Sequence, residues 1–151
     1  MYNKILLATE LAETSREIAF KAIKLAGQLN ATLYLVHVIE IPQGTLYAAS
    51  IGFTEYLNPI TDNAEMVLNA LGDELNIPKS QQLIRVGSAS HHILAVAEEL
   101  AVELIIVGAH SKNGLLELVG STAHNIAHHA KCDVLTIRPS APVKPQQKSM
   151  K

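Results

Sequence analysis

The stretch Ala31 to Ile39, A-T-L-Y-L-V-H-V-I, is apolar at nearly every position and rich in β-branched residues. A strand with one face in water would alternate polar and apolar side chains. This one does not, so cover on both faces is expected, as in a parallel sheet. Four more short apolar runs read as strands: Ile5 to Ala8, Gln82 to Val86, Glu103 to Val107 and Asp133 to Arg138. Helical patterns fall between them. The first places Ala19, Ala22, Ile23, Ala26 and Leu29 on one face, with Asn30 suited to close the helix. Thr14-x-x-Glu17 ahead of it fits a capping box. The stretch Glu40 to Pro59 carries Leu46, Tyr47, Ile51 and Phe53. It is expected to turn helical from Thr54 or Thr61 and to pack against the body. That helix should run to about Leu75, with Met66, Val67, Ala70, Leu71 and Leu75 as its stripe, before Asn76-Ile77-Pro78 stops it. Ile93, Ala97 and Leu100 mark a further helix, and Ala123, Ile126, Ala127 and Ala130 the last.

This alternation predicts an α/β fold: an open five-stranded parallel sheet with helices on both faces, Rossmann-like, in strand order 3-2-1-4-5. Reversal of strand order opens a crevice at the carboxyl ends of the strands. The loops after the first and fourth strands, Thr9-Glu10 and Gly108 to Ser121, are expected to meet there. A chain of 151 residues suits one domain, read as residues 1–139. Residues 140–151 have little to bury and read as a flexible tail.

Composition removes several classes of function. A net charge of -2 supplies no basic field for nucleic acid, and 4% aromatics give no base-stacking surface. Cys132 is the single cysteine, so no internal disulfide forms, which fits a reducing compartment. No run approaches a membrane span and no long apolar leader opens the chain, so a cytoplasmic protein without a membrane partner is expected.

The stretch Leu104 to Thr122, L-I-I-V-G-A-H-S-K-N-G-L-L-E-L-V-G-S-T, runs from strand through a glycine-containing loop to a helix start. Loop N–H groups and the positive end of a helix dipole suit an anion there. Gly108 and Gly120 also have plain structural roles, one ending a strand and the other preceding a helix with Ser121 as its N-cap.

With K-I-L-L-A-T-E, L-V-H-V-I, V-G-A-H-S, V-G-S-T-A and V-L-T-I-R in this order, the chain resembles the universal stress protein family over nearly its whole length. In members that bind ATP the fourth-strand loop reads G-x-x-G, nine residues, then G-[ST]. The resemblance assigns the first glycine to Gly108 and the final pair to Gly120 and Ser121, with Thr122 next. Ser111 stands where the second glycine belongs, and eight residues rather than nine separate it from Gly120. Glu10 replaces an Asp near the ribose, Val38 matches an adenine-contacting Val, and Thr9 and Val107 fall at neighbouring contact positions. A Cβ at Ser111 in a left-handed conformation would cost roughly 1–2 kcal/mol. The shortened loop is similar to the family's branch without detectable ATP binding; the retained Gly120-Ser121 points the other way.

The resemblance therefore implies first a non-catalytic homodimeric stress-response module, needing no cofactor. Its last strand, Val134, Leu135, Thr136 and Ile137, pairs with a second subunit. It implies second an adenine-nucleotide switch or slow ATPase, taking ATP or AMP with Mg²⁺. An enzyme of the wider nucleotide-binding α/β group ranks last, because A-T-E-L-A-E-T-S carries neither H-x-G-H nor S-G-G-x-D-S and no G-K-[ST] occurs. His124, His128 and His129 lack a completing H-E-x-x-H or cysteine pair, so they read as a helix face and no metal is expected. His91-His92 read as first-turn helix residues, His110 as a loop residue and His37 as a satisfied core or crevice residue. Ser88 and Ser90 are explained by capping, Cys132 as a buried thiol, and Glu98-Glu99 as diverging neighbours.

Overall fold

Strand β1 (Lys4–Ala8) is the centre of the sheet in the computed structural model, which describes residues 1–109 and 121–140. It pairs on one side with β2 (Thr32–Ile39) and on the other with β4 (Leu104–Gly108). Beyond β2 lies β3 (Gln82–Val86), and beyond β4 lies β5 (Asp133–Ile137). All pairings are parallel, and the order β3-β2-β1-β4-β5 is the one expected. Ile5, Leu6 and Leu7 are all 0% exposed although successive residues point to opposite faces. Both faces are therefore covered. Helices α1 (Ser15–Leu29) and α3 (Asn58–Glu74) pack on Ile5, Leu7, Leu33, Leu35 and Ile106. Helices α4 (Ala89–Leu100) and α5 (Ser121–His129) pack on Leu6, Val36, Ile105 and Val107.

Helix ends follow the local chemistry. Asn30 takes φ 53° after α1, and Ala31 N–H reaches back to the Ala26 carbonyl at 2.9 Å. Asn76 at φ 56° stops the chain after α3, as the Asn-Ile-Pro signal suggested, with Ile77 N–H on the Gly72 carbonyl at 2.8 Å.

Several expectations need correction. The capping box does not form: Thr14 makes no side-chain cap, and Ser15 Oγ instead accepts from Ala12 N–H at 2.9 Å. Glu17 is drawn away by Ser140 and Lys21. Ser88 likewise makes no side-chain cap on α4; Glu40 Oε1 takes the Ala89 N–H at 3.2 Å. The buried stripe of α3 is Leu68, Leu71, Gly72 and Leu75, while Met66, Val67 and Ala70 are exposed. Gly72 lies in this stripe against the Gln82 side chain, whose amide donates to the Ile77 carbonyl. Ala127 also faces outward. The connection after β2 forms α2 (Gln43–Ser50); the chain then turns helical at Thr54, the first of the two expected starts, as a 3-10 turn (Thr54–Tyr56) that leads into α3 at Asn58. None of α2 is buried, and Leu46, Tyr47, Ile51 and Phe53 are largely exposed rather than part of the core.

Among the described residues no helix is long and apolar enough to cross a membrane. Residues 141–151 of the expected tail lie outside the described residues, and Ser140, its first residue, is bonded to Glu17. Ile106→Ala, at a 0% exposed position, should cost about 2–5 kcal/mol. Urea unfolding should show this as a lower midpoint at unchanged slope.

Candidate functional site

Ala8, the last residue of β1, lies in register with Val36 of β2 and Val107 of β4. The chain after it therefore leaves the sheet directly beside Gly108. Thr9 fixes that exit. Its N–H donates to the Val36 carbonyl at 2.9 Å, its Oγ1 accepts from Leu11 N–H at 3.3 Å, and its carbonyl accepts from His37 Nδ1–H at 2.8 Å. Thr9 is only 6% exposed, so these bonds position the loop more than they offer contacts to a ligand. Leu11 occupies the left-handed region at φ 56°, and its side chain packs on the α1–α3 core. This turn leaves Glu10 exposed at the carboxyl edge. Val38 lies two residues beyond the level of Ala8; at 9% exposure its side chain belongs mainly to the α4–α5 layer.

The other wall is the end of β4. Gly108 is in register with Ile137, and Ala109 N–H donates to the Ile137 carbonyl at 2.8 Å. That N–H faces the neighbouring strand rather than an anion. A Cβ on Gly108 would lie 2.5 Å from Ile18 Cδ1, so this glycine lets the first turn of α1 close over the strand end. Ser111, Gly120, Gly114 and His110 lie outside the described residues. Ser121 is exposed and is the first helical residue of α5, with half-buried Thr122 next. Ala123 joins the buried cluster that contains Val107, and Ala8 packs against that cluster. Thr9, Glu10, Val107 and Gly108 thus share one edge, and α5 begins in the layer beneath it.

Ile18 was missing from the expected α1 stripe, though it is spaced i, i+4 and i+8 with Ala22 and Ala26 and is 8% exposed. His37 is the satisfied crevice residue expected, with its partner now assigned to the Thr9 carbonyl.

Other candidates have local explanations. The rings of His124 and His128 stack at 6.4 Å, and His129 Nδ1–H donates to the Asn125 carbonyl at 3.1 Å. Among the described residues no three His, Cys, Asp or Glu side chains are grouped to hold a metal. Glu98 pairs with Lys131 at 3.1 Å and Glu99 with Arg85 at 3.6 Å, so the two carboxylates do diverge. Cys132 is half-buried rather than buried; its thiol pKa is pushed up by burial and then by the charge of Asp133. An open groove along α3 is lined by Asp62, Glu65, Met66, Asn69, Ala70 and Asp73. Its three carboxylates would repel a phosphate.

The layers, the strand reversal and the paired loop exits define a Rossmann-like, doubly wound α/β protein. Its sequence profile is that of the Universal stress protein family, matched over residues 1–138. The chain belongs to this family. Universal stress protein A homolog 2 of Coxiella burnetii is 37% identical over 140 residues, spanning 91% of this chain and 95% of that one. Universal stress protein MJ0577 of Methanocaldococcus jannaschii is 31% identical over 156 residues, and its solved structure superposes with a TM-score of 0.75 over 93% of this chain and 99% of that one. The structure of UspA from Lactobacillus plantarum gives 0.75 at 22% identity, over 91% and 98% of the two chains.

Gly108→Ala should destabilise the protein by about 1–3 kcal/mol. Ile18→Val, which removes the overlapping Cδ1, should relieve most of that cost, and a double-mutant cycle in denaturant measures the coupling.

Proposed function

We propose that this chain is a non-catalytic, homodimeric stress-response module of the cytoplasm, paired with a second copy through β5. The carrying observation is that, among the described residues, no strand pairs with the outer edge of β5. β5 is the last strand of the order, and β4 is its neighbour on the inner side. Val134, Leu135, Thr136 and Ile137 carry no charge along the edge, and Leu135 is 37% exposed. An apolar edge of this kind templates pairing with another chain unless something covers it. Closed twofold pairing covers it without building a filament. Light scattering at micromolar concentration should give the mass of a dimer. Leu135→Lys, which brings like charges together across a twofold axis, should give the monomer with its fold retained.

A second reading rests on Glu10, exposed at the same edge of the sheet as Gly108, and on the start of α5 at Ser121 in the adjoining layer. These groups suit an adenine nucleotide, ATP or AMP with Mg²⁺, as a switch ligand. The engagement of Ala109 N–H by Ile137 weighs against it, since one fewer amide is left for phosphate. Calorimetry with Mg²⁺ and ATP, and with AMP, separates the readings: neither heat nor thermal shift at millimolar ligand would remove the nucleotide and leave the dimer standing.

A further inference from the structure

The chain leaving β5 is fastened to the first turns of α1. Ser140 donates to Glu17 Oε1 twice, from its N–H at 2.9 Å and from its Oγ at 2.5 Å. Lys21 Nζ donates to the Arg138 carbonyl at 3.2 Å and lies 3.3 Å from the same Glu17 oxygen. Both bonded pairs join segments more than a hundred positions apart in sequence.

The residue after Glu17 is Ile18, whose Cδ1 closes over Gly108. The residue before Arg138 is Ile137, which pairs with Gly108 and accepts the Ala109 N–H. The ring therefore runs Ser140, Glu17, Ile18, Gly108, Ala109, Ile137 and back to Arg138. One side of it is the last strand of the sheet, and the other is the mouth of the crevice.

We propose that Arg138–Ser140 is a strap that holds α1 against the end of β4 and couples the β5 edge to the crevice, with Glu17 and Ser140 as positioning residues. Coupling to a second copy rests on the dimer reading above; the hold on Gly108 and Ala109 does not. Tension or cover on β5 acts at Ile137 and Arg138, and the strap conveys it to the turn carrying Ile18. By linkage, whatever orders the crevice mouth then also strengthens pairing at the edge.

Amide hydrogen exchange on the full chain tests this. Glu17→Ala and Ser140→Pro break the same contact from opposite partners, and both partners lie at the surface, so the fold should survive. Each should raise exchange at Ile18 and Ala109 by about three- to tenfold. The double variant should add little to either alone. Glu17→Gln, which keeps an acceptor oxygen, should fall between Glu17→Ala and the unmodified chain. Glu13→Ala, on the exposed loop before α1, should leave both amides unchanged. Unchanged exchange at Ala109 in Glu17→Ala and Ser140→Pro, or fully additive effects, would overturn the strap. Light scattering on the same samples reports the dimer separately, so loss of one reading is distinguishable from loss of the other.

Discussion

Complete burial of the three middle residues of β1 is the constraint on which the rest depends. Ile5, Leu6 and Leu7 have no exposed surface, and no single layer of helices can achieve that for consecutive strand residues. Two layers are required, and with parallel strands the crossovers supply them. Parallel direction then places every strand's carboxyl end at one edge. The meeting of the Thr9 turn with Gly108 follows from that geometry, before any ligand is considered.

Much of this was legible in the sequence because burial on two faces leaves a strong pattern. Ala31 to Ile39 is so uniformly apolar that little else fits, and β3 was bounded to the residue. Helix faces were harder where small residues intervene. In α3, Gly72 sits in the interface with the Gln82 side chain laid against it, and apolarity alone does not reveal such a fit. Met66 and Val67 look like core residues and are not. Caps misled for a related reason. Thr14-x-x-Glu17 has the right spacing, but a distant partner, Ser140, takes the carboxylate, and local sequence carries no trace of a contact with residue 140.

At the site, the types of residue were readable while their engagements were not. Thr9 and Val38 were placed by resemblance at ligand-facing positions, yet both are largely enclosed: one holds a turn, and the other fills the second core layer. Glu10 stays at the surface. The hydrogen bonds from β1's exit to β2, and from β4's exit to β5, depend on register, which sequence periodicity does not supply.

The two lips of the crevice are fastened by different chemistry. His37 ties the β2 side to the β1 exit by donating from Nδ1 to the Thr9 backbone carbonyl. Glu17 holds Ser140 as a carboxylate, and the Ser140 donors, followed by Lys21, keep its pKa below the ordinary range. The Glu17 contribution is complete above the carboxyl's unfolded value and fades as pH falls through the lower folded one. Acidification would therefore loosen the lip along α1, so that side of the molecule carries a built-in response to protons.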